Sequence, residues 1–165
     1  KKLQLKTEFP SSAQEPALIA IQTRSGLIAA IPRQTLRIAW ANLSAADPRD
    51  RVLEPLSVNV KLFNSAGQVI AQTATAPAQA GQFGYSDFNR DLIGLPGEPG
   101  TGRLPARVEV TARFRVAQQV DAAVLQKALE DFPASLELID NSTGRTTAVW
   151  LTVGFFEVTS APMPQ

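Results

Sequence analysis

The clearest pattern in the chain runs from Arg107 to Gln118, where apolar and polar residues alternate with period two. Val108, Val110, Ala112, Phe114 and Val116 fall on one face, and Arg107, Glu109, Thr111, Arg113 and Arg115 on the other. Successive side chains of a strand point to opposite sides, so this stretch predicts a strand with one face in a core and one in water. Thr35 to Ser44 repeats the pattern, with Leu36, Ile38 and Trp40 opposite Thr35, Arg37 and Ala39. Ser57 to Phe63 turns Val58, Val60 and Leu62 inward. The apolar segments Ala17–Gln22 and Gly26–Ile31 read as a strand or paired half-strands at a sheet edge, closed by Pro32.

Two hairpins carry nearly the same turn. Asn64-Ser65-Ala66-Gly67 separates Val58–Phe63 from Gln68–Thr75, and Asn141-Ser142-Thr143-Gly144 separates Ser135–Asp140 from Arg145–Trp150. Asn and Ser bond their own backbone and Gly supplies positive φ, as a short β connection needs. Shared turn chemistry accounts for the likeness without an internal duplication. The final strand is expected to run through Thr147–Thr159, with Val149, Leu151, Val153 and Phe155 alternating against Trp150, Thr152, Gly154 and Phe156. Both faces are apolar, which predicts a central or doubly covered strand, with Gly154 marking a bulge or bend.

One segment departs from the β pattern. Asp121 is placed to cap a short helix from Ala122 to Asp131 with an apolar stripe of Val124, Leu125, Ala128 and Leu129, ended by Phe132-Pro133. The connections are long: polar Ser44–Pro55, small and flexible Ala76–Gln82, and Gly94–Pro105, in which seven of twelve positions are Gly or Pro. About eight strands at near-regular spacing and one crossover helix predict an all-β fold, an antiparallel β-sandwich. It is expected as a single domain over 1–165, with 1–15 a loose N-terminal segment and 160–165 a loose tail.

Composition narrows the chemistry. The chain has no histidine and no cysteine, which removes a Ser-His-Asp triad, a thiol nucleophile, disulfides and the usual ligands of zinc or haem. Sixteen basic against fifteen acidic residues give a net charge of +1, so no general attraction to nucleic acid or an anionic membrane is expected. No apolar run approaches the ~20 residues that span a bilayer, so no membrane insertion is expected. The chain starts at Lys1 and its one methionine is Met163, which predicts that something upstream has been removed; a cleaved leader fits the expectation of a secreted or cell-surface protein, and a domain excised from a longer chain would look identical. Two sequons, Asn42-Leu43-Ser44 and Asn141-Ser142-Thr143, matter only in a eukaryotic secretory host.

Candidate sites follow from oxygen, cation and aromatic clusters. Asp87, Asn89 and Asp91 alternate like the opening of a calcium loop, with Glu98 eleven positions after Asp87. Leu92 replaces the glycine such a loop needs and Arg90 puts a cation inside it, so an ordinary polar strand or turn is expected, with Phe83, Tyr85 and Phe88 contributing to the core. Arg107, Arg113 and Arg115, with Lys61 nearby, form either a basic stripe or a solvated strand face softened by Glu109. Trp40, Trp150, Phe83, Tyr85 and Phe156 are the candidates for an aromatic platform that takes a sugar or peptide; Trp40 is expected in the core, while Trp150 and Phe156 share a face and offer the better place for a binding patch. The Gly94–Gly102 segment lacks the GKS/GKT ending of a phosphate loop. No catalytic, metal-binding or cofactor-binding residue is assigned, and no cofactor is expected.

The strand patterns around Leu36–Trp40, Val58–Leu62 and Val108–Val116, with the Pro/Gly-rich stretch feeding the last of them, resemble the immunoglobulin-like modules of secreted and cell-surface bacterial proteins. The resemblance covers about Pro16 to Thr159 and lacks the Cys…Trp…Cys framework of antibody domains. It implies a spacer, adhesion or binding role with a protein or glycan partner, and no catalytic residues. The expectation is a non-catalytic binding or structural module with contacts on its long loops. The alternatives are a carbohydrate-binding accessory domain using Trp150, Phe156 or Tyr85, a histidine-free carboxylate hydrolase, and assembly through an edge strand.

Overall fold

The alternation at 107–118 becomes the spine of the larger of two sheets. The computed structural model describes residues 17–43, 55–116, 122–151 and 153–159. In chain order its elements are β1 (Ala17–Arg24), β2 (Ile28–Ala30), β3 (Gln34–Ala41), β4 (Pro55–Phe63), β5 (Val69–Gln72), β6 (Phe83–Asn89), β7 (Leu104–Val116), α1 (Ala122–Glu130), β8 (Ala134–Asp140), β9 (Thr146–Leu151) and β10 (Val153–Thr159). One sheet runs β10-β1-β7-β4-β5, with β2 also paired to β7; the other runs β6-β3-β8-β9. Every pairing is antiparallel, and the two sheets pack on each other as a β-sandwich.

The core lies between the sheets. Ile21, Ala112 and Val58 stand in one cross-strand row of the larger sheet, and Val108 and Leu62 in another, all buried. Facing them, Leu36 stands between Phe88 and Leu138, and Ile38 lies opposite Leu136. Burying each such aliphatic side chain contributes about 1.5–3 kcal/mol, which is why the period-2 positions define the fold. Trp40 is core, as expected, and its indole stacks on Phe132 with centroids 6.0 Å apart.

Several expectations are corrected. The described chain has ten strands, not about eight. The stretch 147–159 is not one central strand. It leaves the four-stranded sheet after Leu151 and joins the larger sheet from Val153, so that each half is the last strand of its sheet among the described residues. Trp150 therefore lies opposite Leu136, and Phe156 opposite Ile21 in the other sheet, so the two share no strand face. Gly154 keeps regular register opposite Thr23, without a bulge. The Gly/Pro-rich loop ends at Arg103, because Leu104 and Pro105 already pair with β2. Pro105 sits beyond the end of the β4 pairing, where a strand position with one neighbour tolerates a missing N–H.

The helix forms close to its expected bounds and carries the chain from β7 in one sheet to β8 in the other. Ala128 is buried and Leu129 packs against the core. Its cap at Asp121 falls outside the described residues, as do the side chains of Val124 and Leu125. The Ala76–Gln82 connection is pinned instead of loose. Val58 and Ala76 exchange backbone hydrogen bonds, Ala78 is buried, and buried Asn42 donates its amide N–H to Gln82 and accepts from Gly81. These bonds fix the entry to β6.

Candidate functional site

β6 places its largest apolar side chains on the outside. Among the described residues it pairs with β3 alone, in the register Leu36↔Phe88, Arg37↔Asp87, Ala39↔Tyr85 and Ala41↔Phe83. Phe88 joins the core, so alternation turns Tyr85 and Phe83 to the open face, where they are 61% and 82% exposed. The expectation that all three aromatics contribute to the core is therefore corrected. Phe88 and Tyr85 differ by three positions and cannot share one face of a strand. Gly84, between the two exposed aromatics, leaves the space that the Trp40 ring fills.

The floor beside these rings is small: Ala39 and Ala41 on β3 and Ser135 on β8. Phe83 and Tyr85 wall one side, Pro133 lies at one end and Arg37 at the other, enclosing a shallow, almost wholly apolar groove of about 310 Å³. The backbone bond from Ala41 N to Pro133 O, 3.1 Å long, holds the Pro133 end against β3.

The polar end is built by register. Arg37 donates from Nε and Nη2 to the two oxygens of Asp87 at 2.8 and 2.7 Å, a bidentate pair across neighbouring strands. The guanidinium carbon also lies 4.3 Å from the centroid of the Tyr85 ring. Both partners are partly open to water. The hydrogen bond to Asp87, reinforced by the charges of Asp87 and Glu137, raises the Arg37 pKa above its ordinary value, so the cation is permanent. Glu137 is the next residue across on β8, making a row Asp87–Arg37–Glu137 over three strands.

The other candidates do not assemble. Asp87 is held by Arg37; Asn89 caps a 3₁₀ turn at Arg90–Leu92 by accepting from Asp91 N; and the Asp91 carboxylate accepts from Arg33 N. Each of the three is thus engaged with a different partner, and among the described residues no three His, Cys, Asp or Glu side chains cluster as a metal site. The basic stripe is broken. Glu109 sits between Arg24 and Lys61 in register and pairs with Arg24 at 2.8 Å, while Arg107 lies over Phe63. Arg113 is exposed, and the Arg115 side chain falls outside the described residues. So do the side chains of Trp150 and Phe156 and the loop segment 44–54. Of the sequons, Asn42 is buried with Nδ2 bonded to Ala78 O, whereas Asn141 is exposed in a hairpin turn. Among the described residues no helix is long and apolar enough to cross a membrane.

Phe83 and Tyr85 both belong to the aromatic set that the sequence offers as a platform; Arg37 and Asp87 as their companions do not follow from it. Nothing local links Arg37 to Asp87, fifty positions apart. No known protein family, characterised protein or solved structure matches this chain, so the immunoglobulin-like resemblance gains no support from them.

Proposed function

We propose that this chain is a non-catalytic carbohydrate-binding module of a secreted or cell-surface protein, and that its ligand lies on the open face of the four-stranded sheet. The observation that carries the reading is the pair Phe83 and Tyr85, both largely exposed side by side over a floor of small residues. Large exposed aromatics are costly to leave in water and mark binding surfaces. A sugar ring presents an apolar C–H face to an aromatic ring and hydroxyls at its rim. The groove offers both: aromatic walls over a floor of Ala39, Ala41 and Ser135, and the Arg37–Asp87 pair at its polar end. A shallow open groove suits a chain passing across it more than a small molecule buried in a cavity.

The test is titration of the 165-residue chain with a panel of oligosaccharides, followed through the ring resonances of Tyr85, the single tyrosine. Binding sugars should shift those resonances. Phe83→Ala and Tyr85→Ala should each weaken binding by about 2- to 10-fold, the worth of one stacked aromatic, while leaving stability within about 0.5 kcal/mol. A panel without a single binder, or binding untouched by the double variant, overturns the reading. So does sedimentation showing that Phe83 and Tyr85 instead drive self-association.

A further inference from the structure

Resting on the carbohydrate-binding reading, we infer that the site selects neutral glycans bearing vicinal hydroxyls, gripped by Arg37 and Asp87, and rejects acidic ones. The inference starts from unused hydrogen-bonding capacity. A guanidinium has five N–H donors and a carboxylate about four lone-pair positions. Their mutual bonds occupy one N–H on Nε, one on Nη2 and one position on each Asp87 oxygen. Donors and acceptors therefore remain side by side at the end of the apolar groove. Two neighbouring hydroxyls, each able to donate and accept, complement that arrangement; an apolar ligand leaves it unused.

The pair is also preorganised. Arg37 and Asp87 stand directly opposite in the β3–β6 register, and the guanidinium rests over Tyr85. A sugar stacked on the aromatic wall meets polar groups already fixed in place, with little side-chain ordering left to cost affinity. Charge then decides the class. Asp87 and Glu137 flank Arg37, so the row carries two negative charges and one positive. A uronate or sulfate brought to Arg37 meets a cation already matched and a carboxylate on either side. Like-charge contact and desolvation act against it, and nothing comparable opposes a neutral ring. The face therefore differs from the basic stripe considered from sequence, which favours acidic sugars.

The experiment compares neutral hexasaccharides (gluco-, xylo- and manno-series) with oligogalacturonates and a sulfated oligosaccharide, using the full chain and the variants Asp87→Asn, Arg37→Met, Glu137→Gln and Phe83→Ala. Melting curves check that each variant folds. Neutral sugars should bind the parent and acidic ones should not. Asp87→Asn and Arg37→Met should weaken neutral binding by about tenfold or more, through loss of charge-assisted hydrogen bonds. Glu137→Gln should leave neutral binding within about twofold and raise acidic binding severalfold, through loss of a flanking repulsion. Acidic sugars preferred by the parent, or neutral binding unchanged in Asp87→Asn and Arg37→Met, overturns this inference alone, provided Phe83→Ala still weakens binding. No binding by either class overturns it together with the reading beneath it.

Discussion

The indole of Trp40 occupies the space that any side chain on Gly84 would need: a Cβ built there falls 2.3 Å from Trp40 Cζ2. The ring has little freedom to move away, since it is core-packed and stacked on Phe132. One glycine thus lets a core tryptophan lie flush against the strand that displays Phe83 and Tyr85. Gly84→Ala should lower stability by about 1–3 kcal/mol, the cost of overpacking a filled core, and weaken binding at the groove. Urea unfolding checks it, and an unchanged midpoint would show that the indole can yield.

Glu109 is buried, 7% exposed, on the outward face of β7, and Arg24 is its ion-pair partner. Removing the two partners should have unequal effects. Arg24→Ala leaves a buried carboxylate short of its hydrogen bond and should cost about 1–3 kcal/mol. Glu109→Leu releases an arginine that is open to water and should cost less. Denaturant midpoints for the two variants decide the order.

Arg90 is also 7% exposed, yet among the described residues its Nε has no hydrogen-bond partner and Nη2 reaches only the carbonyl of Gly102 at 3.2 Å. Among the described residues it has no ion-pair partner. A buried cation so poorly compensated is replaceable by an apolar side chain of similar length. Arg90→Met should therefore match or exceed the parent in thermal stability, within about 1 kcal/mol or better. A large loss would show that the Gly102 bond anchors the loop before β7.

The two similar hairpin turns differ in one testable way. Asn64 Oδ1 accepts from the amides of Ala66 and Gln68, while Asp140 Oδ1 accepts from Ser142 Oγ and the amides of Ser142 and Thr143. Those bonds, the Ser142 hydroxyl first, favour the ionised carboxylate and lower the Asp140 pKa below its ordinary 3.8. The contribution of Asp140 to its turn is complete above that value and is lost as pH falls through the lower, folded one. Amide resonances of Ser142 and Thr143 should move over that acid range, while those of Ala66 and Gln68 stay still. Asp140→Asn should keep the turn, as Asn64 does, and abolish the movement.

Period-2 alternation determined the strands that pack with one face inward. β3, β4 and β7 were legible because each carries apolar residues on one side and polar ones on the other. Both hairpin turns were legible because Asn, Asp, Ser and Gly act through local bonds and local φ, which need no distant partner. Distant pairing was not legible. The stretch from Thr147 to Thr159 is apolar on both faces and holds no Pro, Asn or Asp, so no turn residue of those kinds marks where the chain leaves one sheet for the other. In β6 the inward positions hold Gly84, Ser86 and Phe88 and the outward ones Phe83, Tyr85 and Asp87, which inverts the usual weighting of bulk toward the core. Only the tertiary structure settles that phase, because Trp40 from β3 fills the volume that Gly84 leaves. The same register brings Arg37 to Asp87 across fifty residues. Sequence set which segments are strands, through side-chain period and turn chemistry; packing between strands decided which residues stand together on the open face.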